Sequence, residues 1–68
     1  MTAEEWISEF AAEAGIEAPT PEQVDRLLKI AAVAAHSSER TAAPVACYLV
    51  GLGEIDLDRA LEIAEGIG

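Results

Sequence analysis

A single cysteine, a single histidine, three aromatic residues and four basic residues in 68 positions exclude several chemistries before any motif is read. Cys47 alone closes no intrachain disulfide and builds no cysteine-cluster zinc site, and its isolation suits a reducing compartment. With His36 as the only histidine, neither a histidine cluster nor the Glu-x-x-His pairs of a di-iron bundle can be assembled. Arg26, Lys29, Arg40 and Arg59 form no basic run, and thirteen acids set the net charge at −9. That charge repels phosphate backbones and anionic membranes, so no nucleic-acid partner is expected. The longest apolar run, Ala42 to Gly53, falls short of the ~20 residues that span a bilayer, so no membrane partner is expected either. Met1 to Phe10 lacks the basic and apolar regions of a signal peptide, and the expected location is the cytoplasm. Glycine-rich phosphate loops, nucleophile elbows and the Asp-Ser-Leu context of an acyl carrier are absent.

What remains is apolar and helical. Hydrophobic residues make up 51% of the chain, many of them alanine, which buries little area but lets helix axes approach closely. The expectation is one helical domain over residues 1–68, near the size where a core seldom supplies more than ~3–5 kcal/mol and self-association becomes a real option.

Helix boundaries are well marked. Thr2 with Glu5, and Thr20 with Gln23, have the spacing of capping boxes, the second with Pro21 at the first helical position. Trp6, Phe10 and Ala14, with Ile7 alongside, repeat at helical spacing and read as the inward stripe of the first helix, which Gly15 ends. In the second helix Val24, Leu27, Leu28, Ala31 and Ala35 are expected inward, with Asp25, Arg26 and Lys29 solvated. Thr41 is expected to cap a third helix ending at Gly51 and Gly53. That helix carries no charge from Val45 to Leu52 and therefore reads as the central one. Asp56 opens a fourth from about Leu57 to Glu65, with Leu57, Leu61 and Ala64 inward and a frayed Gly66-Ile67-Gly68 end. The fold class is all-α, a compact bundle of four short helices with two amphipathic helices sandwiching two apolar segments.

Polar chemistry meets a buried helix start only between His36 and Thr41. If the second helix continues through the serines, His36 and Arg40 share a face beside the amides of Ala42 and Ala43. One reading is an anion site built from those amides, the Arg40 fork and a serine hydroxyl. The other is a structural latch in which His36 and Arg40 hold the turn by bonding carbonyls or Glu39. Tyr48 is expected in the core with its hydroxyl at a polar edge, completing the candidate set His36, Arg40, Thr41 and Tyr48. Cys47 reads as a buried, inert thiol. Trp6 reads as core, whereas its exposure together with Phe10 would mark a docking surface.

His36, Arg40 and the AAPVACYLVGL segment, with Trp6 and a closing amphipathic helix, resemble a small helical domain of uncharacterised role common in high-GC Gram-positive bacteria. Its pattern is a histidine, Arg-Pro-Ala-Ala-Pro, then an apolar Tyr or Phe-Leu-Val-Gly-Leu, with Thr41 here in place of the first proline. Members stand alone or resemble a C-terminal appendage of the molybdenum cofactor guanylyltransferase. The resemblance implies an accessory role in molybdenum cofactor maturation, with a pathway enzyme as protein partner. The chain's own residues offer no positioned set of catalytic groups, so no enzymatic activity and no cofactor are expected. Three functions are carried forward: a non-catalytic protein-interaction module, a binder of a phosphate-bearing anion at the third helix start, and a homodimeric structural module.

Overall fold

A computed structural model describes residues 1–67. Four helices, α1 (Ala3–Ala14), α2 (Pro21–Ser37), α3 (Ala42–Leu52) and α4 (Leu57–Ile67), form the all-α bundle, with no strand among the described residues.

Local chemistry sets the boundaries. Glu5 N–H donates to Thr2 Oγ1 at 3.1 Å while Thr2 N–H donates to the Glu5 carboxylate at 2.8 Å, and Thr20 and Gln23 repeat the exchange at 3.1 and 2.9 Å. Each box satisfies two backbone donors that a helix start leaves open. The hydrogen bonds from Thr2 hold the Glu5 carboxyl below its ordinary range, so this cap is intact at neutral pH and is lost as pH falls through the lowered value. Gly15 ends α1 in the left-handed region at φ 73°, with Ile16 N–H donating back to the Ala11 carbonyl at 3.0 Å. Asp56 caps α4 through its side chain to Arg59 N–H at 3.2 Å. That last helix runs through Ile67 rather than stopping near Glu65, and the Gly68 end of the expected fray lies outside the described residues.

Two further boundaries differ from expectation. Thr41 makes no side-chain cap; it sits in helical backbone at φ −65°, ψ −19°. The first amides of α3 are satisfied instead by the turn before it, Ala42 N–H to Glu39 O at 2.9 Å and Ala43 N–H to Arg40 O at 3.1 Å. At the other end Gly51 stays helical, Gly53 is right-handed, and Glu54 takes the left-handed position at φ 50°. Ile55 N–H then donates to Val50 O at 3.1 Å, as in a glycine-terminated helix, but with a side chain where glycine costs least. Glu54→Gly is expected to raise unfolding free energy by about 0.5–1 kcal/mol, the relieved strain outweighing the added chain entropy, as read by urea denaturation.

The core is small and centres on α2, not on α3. Ile30 of α2, 2% exposed, meets Val50 of α3 and Ala60 of α4, flanked by Leu27, Leu57, Leu61 and Ala64. α2 is thus the hub against which both α3 and α4 pack. Leu28, expected inward, is exposed. Arg26 is half-buried and bridges helices, with Nε 2.9 Å from Asp58 of α4 and an η-nitrogen 3.0 Å from Asp25. The hydrogen bond to Asp58 raises the guanidinium pKa further, so Arg26 is charged at any physiological pH.

The chain keeps 5329 Å² of accessible surface, whereas a compact 7.1 kDa monomer should show roughly 4,100 Å². Its radius of gyration, 12.4 Å, likewise exceeds the ~11 Å expected for 68 residues.

Candidate functional site

The excess surface lies on α1, where only Ile7 and Ala11 are not exposed, and on the outer face of α3. The half-buried and buried residues of α3 are Ala42, Ala43, Ala46, Cys47 and Val50, which fall on one side of a 3.6-residue helix. Small side chains there let α3 approach α2 closely, near enough for Cys47 Sγ to lie 3.8 Å from the Leu27 carbonyl. Partial burial pushes that thiol pKa up, as expected for an inert cysteine. The opposite face carries Val45, Tyr48, Leu49 and Leu52 at positions i, i+3, i+4 and i+7, with Tyr48 and Leu52 each 65% exposed. The helix therefore buries its small residues and presents its large ones. Each exposed Val or Leu forgoes roughly 1.5–3 kcal/mol that burial would contribute.

The first helix repeats the inversion. Ala11 is buried and Ile7 half-buried, and with Pro19 and Val24 Ile7 borders a cleft of about 360 Å³ between α1 and the start of α2. Trp6 and Phe10, read from the sequence as core, stand 56% and 58% exposed. Their rings stack on each other, centroids 5.3 Å apart and planes inclined by 18°. This mutual packing preorganises an aromatic pair on the surface without covering it.

The polar set is less organised than the sequence suggests. α2 ends at Ser37, and Ser38 leaves helical backbone at φ −143°, ψ −101° while its hydroxyl donates to Ala34 O at 2.7 Å. The condition for His36 and Arg40 to share a helix face therefore fails. Both are exposed, and among the described residues neither side chain forms a hydrogen bond or ion pair, so the latch contacts are not made. The Ala42 and Ala43 amides that an anion would need already donate to backbone carbonyls. Tyr48 lies on the outward face of α3 rather than in the core. The sequence reading missed Val45, Leu49 and Leu52; their large size on a helix whose other side is mostly alanine was the available signal.

A second cleft, about 470 Å³, opens where the starts of α2 and α4 converge, lined by Thr20, Arg26, Asp56 and Asp58 among others. It is no anion site, since Thr20 and Asp56 cap the amides and Arg26 is already paired with carboxylates. Among the described residues no group of three His, Cys, Asp or Glu side chains could hold a metal ion, and no helix is long and apolar enough to cross a membrane.

No curated protein and no solved structure matches the chain. A family model covers residues 1–65, nearly the whole chain, and its description names no catalytic activity. Four helices, three of them with side-chain caps at their starts and two of them turning large apolar residues outward, are thus the fold of a chain that belongs to the family described as domain of unknown function DUF6457.

Proposed function

We propose that this domain is a non-catalytic protein-interaction module. The observation that carries the proposal is the inverted burial of α1 and α3, with Trp6 and Phe10 on one helix and Val45, Tyr48, Leu49 and Leu52 on the other standing in water. A soluble monomer gains nothing from such an arrangement, whereas an interface draws its energy from large, centrally placed aromatic and aliphatic anchors. Trp6 and Phe10 suit a partner's pocket because they are already ordered against each other, which lowers the entropy lost on docking.

The sequence resemblance directs the choice of partner to the molybdenum cofactor guanylyltransferase. In that reading the domain assists cofactor maturation by docking, not by transferring a nucleotide. The anionic-ligand alternative draws no support from the α3 start, where the amides are occupied and Arg40 stands alone in solvent.

Isothermal titration of the guanylyltransferase into this domain tests the proposal. Binding is expected, accompanied by a blue shift of Trp6 emission as its ring leaves water. Trp6→Ala and Phe10→Ala should each weaken binding by about 30-fold or more. No heat and an unchanged Trp6 spectrum would overturn the assignment of this partner.

A further inference from the structure

We infer that the outward face of α3 is the two-fold interface of a homodimer, a second copy of the same helix lying antiparallel across it. The inference rests on the interaction-module reading and names the occupant of one of its two surfaces, leaving Trp6 and Phe10 free for another protein.

Area is the first argument. The chain exposes 5329 Å², roughly 1,200 Å² more than a compact monomer of its mass, and a stable interface buries about 800 Å² per partner. That surplus is shared by α1, almost all of it exposed, and the outer face of α3, whose Val45, Tyr48, Leu49 and Leu52 stand 54–65% exposed and would form the apolar centre of the contact.

Charge is the second. From Ala42 to Leu52 the helix carries no Asp, Glu, Lys, Arg or His, so a second copy brings no like charge into contact although each chain bears −9. A partner selected by that acidity would need carboxylates to meet its cations, and this face offers none.

Direction is the third. Arg40 precedes α3 and Glu54 follows it, both exposed and neither in an ion pair among the described residues. An antiparallel pair brings the Arg40 end of one copy to the Glu54 end of the other, twice over, and opposes the helix dipoles. A parallel pair would set like against like. The stripe itself has the required symmetry: with a two-fold axis between Tyr48 and Leu49, Tyr48 faces Leu49 of the second copy and Val45 faces its Leu52, large against large in both registers.

Sedimentation equilibrium from about 1 to about 200 µM, at about 0.05 and about 0.5 M salt, reads the prediction. A monomer–dimer equilibrium is expected that tightens with salt, because screening relieves the repulsion between two bodies of charge −9 more than it weakens the two Arg40–Glu54 approaches at the rim of an apolar contact. Tyr48→Glu sets two carboxylates beside the axis and should weaken dimerisation at least about 100-fold with unchanged circular dichroism, while Trp6→Ala leaves it intact. Leu52→Lys serves as the second variant should Tyr48→Glu fail to fold. A monomer at the highest concentration and salt, a dimer that survives both folded α3 variants, or a dimer abolished by Trp6→Ala would overturn the inference. If the domain stays monomeric yet the guanylyltransferase binds it, the dimer fails and the interaction module stands; if neither association occurs, both fail.

Discussion

Ile30→Ala is expected to leave the domain without a cooperative fold at 25 °C. Ile30 is the most buried side chain, 2% exposed, and the point where α2, α3 and α4 meet through Val50 and Ala60. Truncating a buried isoleucine costs about 2–5 kcal/mol, the larger figures arising where neighbours cannot collapse into the cavity. Here they cannot easily do so, because Val50 and Ala60 are small and their helices are held at the spacing that Ile30 sets. A core this size supplies only about 3–5 kcal/mol in total, so one truncation consumes most of the stability. Far-UV circular dichroism of the variant should show much reduced helix and a urea response with no folded baseline. Leu28→Ala, two residues earlier on the same helix but exposed, should unfold within about 0.5 kcal/mol of the parent. A normal transition in Ile30→Ala would mean that the core lies elsewhere.

The parts of this fold that were legible in the sequence are those governed by neighbours along the chain. Thr2 with Glu5, Thr20 with Gln23, Gly15 and Asp56 each meet a need of the residues within one turn, so their spacing suffices to place three helix starts and one helix end. The inward stripe of α4 was legible for a different reason: Asp58, Glu62 and Glu65 mark the wet side and leave Leu57, Leu61 and Ala64 no other direction. Helix α3 has no such mark. With no charge on either side, its sequence points to a central position but does not say which apolar face turns inward. Size decides instead, since the alanines, Cys47 and Val50 permit a close approach to α2 that Tyr48 and Leu52 would block. Helix α1 packs lightly on the rest of the bundle, through Ile7 and Ala11, and leaves the adjacent Trp6 and Phe10 exposed. At the candidate polar site, the sequence correctly located a helix junction. It could not show that the Glu39 and Arg40 carbonyls would take the open amides, because that depends on the dihedral angles of the turn.

Inverted burial of α3 is the claim on which both the interaction module and the dimer rest. Tyr48→Glu and Val50→Glu test it with one charge change, made two residues apart on one uncharged helix. Val50 is 8% exposed against Ile30 and Ala60, so a carboxylate there is buried with no cation to pair it. Removing an ionised group from water without a partner costs several kcal/mol even after relaxation, more than this domain holds. Tyr48 faces solvent, where glutamate is a good helix former and the change in monomer stability should stay within about 0.5 kcal/mol. The decisive measurement is urea denaturation of both variants beside the parent, at concentrations low enough that the chain is monomeric, so that linkage to association does not enter. The account predicts the parent midpoint for Tyr48→Glu and no folded baseline for Val50→Glu. Equal destabilisation of the two, or loss of the fold in Tyr48→Glu with Val50→Glu intact, would contradict it.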